Sequence, residues 1–192
     1  MKGFYVYINS TSWWEQLYLI YKLPSCTVSK TYVWYAALLS SLPSPILKLK
    51  NLQENRELPP PGPTEVQVSI QATGLCGSDL HYFNHYRNGD ILVREPMTLG
   101  HESAGTICAI GSSVQNLQVG DKVAVEVGQP CGKCELCKEG RYNICKEMRF
   151  RSSAKSFPHF QGTLQDRINQ EAAWCYKFVF SLSFVRLRNL TI

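Results

Sequence analysis

Four of the eight cysteines stand at Cys131, Cys134, Cys137 and Cys145, in the spacing C-x2-C-x2-C-x7-C. Closely spaced thiolates on a turning loop can supply the four tetrahedral ligands that zinc prefers, at about 2.3 Å. Four thiolates around a divalent ion leave a local charge of about −2. Lys133, Lys138, Arg141 and Lys146 lie between or beside the cysteines and would offset it. Four protein ligands leave no open position, so such a site is structural. Three rivals fit less well. A [4Fe–4S] motif matches the first three cysteines, but its fourth follows sooner and precedes Pro, where this chain has Lys146. A zinc deaminase pairs P-C-x-x-C, present at 130–134, with H-x-E, but here His101 and Glu102 are adjacent. Free or disulfide-bonded cysteines are the plain alternative.

A second set lies upstream, in "GLCGSDLHYFNHY" (74–86) and "LGHESAGTICAIGSSV" (99–114). Cys76, His101 and Glu102 could share a metal with a fourth position open to water or substrate. One thiolate and one carboxylate would neutralise a divalent zinc, leaving it Lewis-acidic without a large net charge. Singly, each residue has a duller reading: Cys76 as a small buried hydrophobe, His81 or His85 as a solvated loop histidine, Glu102 as a surface carboxylate.

The elements that must position these residues read as β. "LPPPGPTE" (58–65) is a proline-locked entry to a strand. "EVQVSIQATG" alternates, with Val66, Val68, Ile70 and Ala72 on one face. "AGTICAIG" (104–111) and "DKVAVEV" (121–127) are short β-branched runs beside turn residues, and "GTLQDRI" (162–168) is a further candidate strand. Short strands with Gly/Pro punctuation predict a small barrel or sandwich. Residues 1–45 are rich in aromatics and show no clear period, and "FVFSLSFVRLRNLTI" reads as an appended tail.

The 192 residues suffice for one domain with a real core. The net charge of +5 comes mainly from the ends. Residues 47–177 carry 15 basic against 14 acidic residues, and the flanks carry 5 basic residues against Glu15 alone. No basic patch argues for nucleic acid. No convincing signal peptide is present, and the apolar stretch 31–42 is too short to span a bilayer. A cytoplasmic protein with no membrane partner is expected, since clustered cysteines fit metal ligation in a reducing compartment.

As a block, Gly100, His101, Glu102, Gly105, Gly111 and Val114 (G-H-E-x2-G-x5-G-x2-V) resemble the signature of zinc-containing alcohol dehydrogenases of the medium-chain dehydrogenase superfamily. "GLCGSDLHYF", "VGDKVAVEVG" and the four-cysteine run stand in the family's order. "GSDLHYF", "RYNIC" and "WCYK" look like its polyol branch, the sorbitol and xylitol dehydrogenases, particularly the fungal members. The match covers about residues 46–177.

The resemblance implies a mainly β fold, a GroES-like, partly open barrel with a structural-zinc lobe. It implies a catalytic zinc on Cys76 and His101, with Glu102 binding it directly or through water, and a structural zinc on Cys131, Cys134, Cys137 and Cys145. It makes Ser78 the hydroxyl that takes the substrate's proton, His81 the relay to solvent, and Asp79 the carboxylate that orients a ligand imidazole. Tyr82 and Phe150 become substrate-pocket aromatics. The implied reaction is oxidation of a polyol or secondary alcohol to a ketone, with hydride passing to NAD(P).

These 192 residues contain no G-x-G-x-x-G turn, so no Rossmann domain is expected among them. The expected organisation is an unmatched extension (1–45), the GroES-like domain (46–177) and an unmatched tail (178–192), a truncated product inactive by itself. The alternative is a non-catalytic zinc-binding module or an inactive partner of a full-length dehydrogenase; the partners expected are a small-molecule polyol or alcohol and a second subunit, as a homo-oligomer or by pairing with a full-length chain.

Overall fold

The structure, a computed structural model, describes the backbone of residues 18–20, 30–36 and 53–56, and residues 57–178 with their side chains. The strands are β1 (Tyr18–Ile20), β2 (Lys30–Ala36), β3 (Gln53–Glu57) and β4 (Glu65–Gly74). Helix α1 (Gly77–His85) follows, then β5 (Arg87–Asn88), β6 (Ile91–Leu92), β7 (Met97–Thr98), β8 (Glu102–Ile110), β9 (Lys122–Val125) and β10 (Gly128–Gln129). Helix α2 (Glu135–Lys138) lies in the cysteine loop, before β11 (Arg149–Phe150), β12 (Arg167–Glu171) and β13 (Cys175–Lys177).

Antiparallel pairing builds the main sheet. β8 pairs with β4 over Val66–Gly74, and β9 and then β13 extend that side. The other edge of β4 is shared: β12 pairs with Glu65–Ser69, and β1 with Ala72–Gly74. The order β12-β4-β8-β9-β13 puts β12 and β13 four strand spacings apart, roughly 19 Å if flat. Yet only the turn Ala172–Trp174 joins them, a reach of about 14 Å even when fully extended. The sheet must therefore curl. Gln170 crosses the seam: it is fully buried, and its Nε2 donates to Glu126 O at 2.8 Å. β12 and β13 do not pair with each other, so the barrel stays partly open.

The apolar face expected of β4 is buried at Val66, Val68 and Ile70, in one core cluster with Ile107, Val123, Val125 and Ile168, but Ala72, past a register shift after Ile70, is only half-buried and outside that cluster. Burial also takes in the intervening Gln67 and Ser69. Gln67 is satisfied across the sheet, donating to Asn169 Oδ1 and accepting from Arg167. A second cluster under α1 contains Tyr82, Tyr86, Val93, Met97, Leu99 and Ala154.

The runs at 104–111 and 121–127 form β8 and β9 as expected. The strand expected at 162–168 instead begins at Arg167. Before it, the N–H groups of Gly162, Thr163 and Leu164 bond Thr98, Gly100 and Leu99 carbonyls in an irregular clasp beside His101. Two short strands from the segment before position 46 join the domain's strands, β1 on β4 and β2 on β3 and β7. The tail expected at 178–192 lies outside the described residues, apart from Phe178, whose N–H bonds Lys122 O. Among the described residues no helix is long and apolar enough to cross a membrane.

Candidate metal centres

The cysteine loop turns on short elements. Cys134 caps α2, Cys137 lies within it, and Cys145 follows the 3-10 turn Tyr142–Ile144. The sulfurs converge. Cys131–Cys137 is 4.0 Å, Cys134–Cys137 3.5 Å, Cys134–Cys145 3.9 Å and Cys131–Cys145 3.6 Å. A regular tetrahedron of sulfurs about 2.3 Å from a central ion has edges of about 3.8 Å, so these four edges bracket the ideal value. Backbone N–H groups of Lys133 and Cys134 pull the Cys131 thiol down to about 7, while burial and the neighbouring thiols push Cys137 up to about 12. Were all four sulfurs ionised, thiolates this close would require a cation. The donor set and its geometry fit zinc, with Lys133, Lys138, Arg141 and Lys146 all exposed around it.

The second centre forms where β4, α1 and β8 meet. Cys76 is the N-cap of α1, and His101 and Glu102 open β8. One ligand atom from each of Cys76, His101 and Glu102 falls within a mutual 4.8 Å. Gly74 pairs with Glu102 across the sheet, and a Cβ there would come within 2.4 Å of the Glu102 carboxylate. A glycine is required for that side chain to lie where it does.

Asp79 stands behind the ligands, 2 % exposed. Its Oδ2 accepts from Cys76 N at 3.1 Å. Its Oδ1 accepts from Gly100 N at 2.9 Å and from the Ser152 hydroxyl at 3.0 Å. Gly100 has φ +87°, a conformation that glycine adopts readily and that turns its N–H onto the carboxylate. His101 Nδ1 lies 3.4 Å from Oδ1, long for a hydrogen bond but close enough for strong electrostatic contact. Nδ1 makes no hydrogen bond among the described residues. Nε2 is 3.3 Å from Ser78 Oγ.

Burial disfavours the His101 imidazolium, but Asp79 and Cys76 outweigh it and push His101 up to about 9. Burial raises Cys76, and bonds from Ser78 and His101 outweigh that and leave its thiol below the ordinary range. Asp79, likewise opposed by burial, is held low by His101 and by the Gly100 and Cys76 N–H groups. A lowered Cys76 thiol beside a lowered Asp79 carboxylate is a donor set whose charge fits a divalent cation.

Of the residues singled out in the sequence, Ser78, Cys76, His101, Glu102 and Phe150 come together. The Phe150 ring is exposed and 5.7 Å from that of His101. His81 is exposed on α1, its ring 6.1 Å from that of His85. Tyr82 sits in the second core cluster, with its hydroxyl accepting from Ala154 N at 3.3 Å. Sequence reasoning missed Gly74 and Ser152. Gly74 had a signal, since it directly precedes the cysteine segment. Ser152, 73 residues from Asp79, had none.

Comparison with known proteins gives consistent neighbours. A family model described as "Alcohol dehydrogenase GroES-like domain" matches residues 62–179. "Probable D-xylulose reductase A" of Emericella nidulans is 45% identical over 131 residues, covering 68% of this chain and 35% of that protein. The sorbitol dehydrogenase of Arabidopsis thaliana is 44% identical over 126 residues, covering 66% of this chain and 34% of that protein. The sorbitol dehydrogenase of Gallus gallus is 43% identical over 131 residues, covering 68% and 36%. The chain thus spans about a third of the length of these relatives. Among solved structures, L-idonate 5-dehydrogenase of Escherichia coli superposes with a TM-score of 0.69 at 28% identity, covering 83% of this chain and 42% of that one.

Proposed function

This chain belongs to the alcohol dehydrogenase GroES-like domain family, and from that premise we propose that it forms the metal- and substrate-binding half of a zinc-dependent, NAD(P)-linked polyol dehydrogenase. One observation carries the reading: Cys76, His101 and Glu102 converge with Ser78 on the imidazole and a buried carboxylate behind it. The polyol class is supported by relatives named sorbitol dehydrogenase and D-xylulose reductase.

When bound, zinc supplies Lewis acidity toward an alcohol oxygen, and a nicotinamide supplies a hydride acceptor. The chain's own residues do the rest. Cys76, His101 and Glu102 would hold the metal, three protein ligands that would leave room for the substrate oxygen. Ser78 Oγ, beside His101, takes the alcohol's proton as it gives up its own hydroxyl proton toward His81. His81, one helical turn along α1 from Ser78 and exposed, passes that proton to solvent. The Phe150 ring bounds the substrate position and limits water near His101. Tyr82 supports α1 from below. The four-cysteine lobe would hold its own zinc, in the loop that leads into β11 and Phe150.

Nucleotide binding needs a G-x-G-x-x-G half that these 192 residues do not contain, so the isolated chain does not turn over. The test replaces the matching segment of the Gallus gallus sorbitol dehydrogenase with residues 62–177 and measures polyol-dependent NAD⁺ reduction. The chimera is expected to be active, and Cys76→Ser to abolish the activity. A folded, zinc-loaded chimera without activity would contradict the reading, as would turnover by the purified 192-residue chain for its second part.

A further inference from the structure

Three donors bond the Asp79 carboxylate, and they are of two kinds. The N–H groups of Cys76 and Gly100 belong to, or adjoin, the ligand residues themselves, so they move with the ligands. The Ser152 hydroxyl comes from a different part of the chain, beyond the cysteine lobe. An ionised carboxylate only accepts, so the hydroxyl donates. We infer that Ser152 is a positioning residue for the Cys76–His101–Glu102 centre, acting through Asp79; this rests on the reading of that centre as a zinc site.

The local backbone supports the role. Ser152 is 3 % exposed and has φ +59°, a conformation uncommon outside glycine. A glycine would adopt it more easily, and what serine adds is the hydroxyl. The segment is fixed on both sides. Arg151 N donates to Val127 O at 3.2 Å, and Ser152 N to Phe160 O at 2.9 Å. The buried Arg151 guanidinium spreads its bonds over Gln170 Oε1, Gln161 O and Asn169 O, and sits 4.3 Å above the Phe160 ring. It thereby ties Ser152 to β12 and the barrel seam. Two residues earlier, Phe150 places its ring beside the His101 imidazole. One three-residue segment therefore faces His101 with Phe150 and braces the carboxylate behind it with Ser152. Anchored to the scaffold, the hydroxyl sets which way Oδ1 points, and Oδ1 faces Nδ1 of the ligand histidine.

The test is cobalt(II) titration of the full 192-residue chain, followed by its visible absorption, which reports ligand geometry as well as occupancy. The unaltered chain takes up two cobalt ions, one at the four-thiolate site and one at Cys76–His101–Glu102. Ser152→Ala is expected to weaken the second ion about tenfold and to shift its bands, leaving the four-thiolate spectrum unchanged. Ser152→Gly, which suits the backbone, shows the same loss, so strain is not the cause. In an Asp79→Asn background, Ser152→Ala adds no further loss. Second-site affinity within twofold of the unaltered chain in both serine variants would overturn the inference, as would a full additional loss on top of Asp79→Asn. If the unaltered chain takes up cobalt only at the four thiolates, the zinc reading of the second centre fails as well. The four-thiolate spectrum reports folding in every variant.

Discussion

The buried Asp79 carboxylate lies 3.4 Å from Nδ1 of His101. It faces the imidazole, and where the histidine is neutral its charge is met only by the N–H groups of Cys76 and Gly100 and the Ser152 hydroxyl. Replacing Asp79 with Asn keeps the shape and removes the charge. Zinc affinity at Cys76–His101–Glu102 is expected to fall 10- to 100-fold, with the four-cysteine site unaffected. Isothermal titration of the two sites measures both; equal affinities in the variant and the unaltered chain would remove Asp79 from the centre.

The same contact sets a pH dependence. In the metal-free protein His101 is raised to about 9, above its ordinary 6.5. The proton therefore stabilises the metal-free fold fully below pH 6.5, and that contribution is lost as pH rises through 9. Zinc must displace the proton. Affinity at this centre should rise at least tenfold per pH unit between roughly pH 7 and 9, because zinc displaces the His101 proton and any proton still on the Cys76 thiol, and flatten above. Zinc titrations at successive pH values check it. A flat profile over pH 7–9 would show that His101 carries no proton for the metal to displace.

Gly74 gives a steric test. A methyl group there meets the Glu102 carboxylate at 2.4 Å, so Gly74→Ala must displace Glu102 or shift β4 against β8. Second-site zinc affinity should drop at least tenfold, the scale expected for disturbing a ligand's support. Gly77→Ala meets nothing within 4 Å and serves as the control. Equal zinc binding by both variants would mean that Glu102 does not contribute.

Much of this was legible from residue types and spacing. The four cysteines announced a metal because the spacing of thiolates along a loop is itself the geometry. Val66, Val68 and Ile70 announced a core strand because the alternation follows the pleat. The strand at 162–168 was misplaced because nothing in "GTLQD" tells that its N–H groups are taken by Thr98, Leu99 and Gly100 carbonyls far away in the chain. The Ser152–Asp79 bond was invisible for the same reason. Tyr82 shows a further limit: nothing in an aromatic's place on a helix beside a site tells that it is buried in the second core cluster.

The cysteine lobe should behave as a separate stabilising unit. Its side chains are mostly exposed or half-buried, with only Cys145 among its thiols fully buried, so the metal substitutes for an apolar core. Cys134→Ser should remove one zinc per chain and lower the melting temperature by roughly 8 °C, the shift about 2 kcal/mol produces in a domain near this size. Scanning calorimetry decides it; an unchanged transition would make the lobe's metal dispensable for folding.

The zinc content of the purified chain after dialysis against metal-free buffer decides whether the chain holds two metal centres or one. Two zinc ions per chain are predicted, falling to one in Cys76→Ser and to one in Cys134→Ser. A folded chain that retains no zinc, or a single zinc lost only with Cys134→Ser, would contradict the account of the second centre.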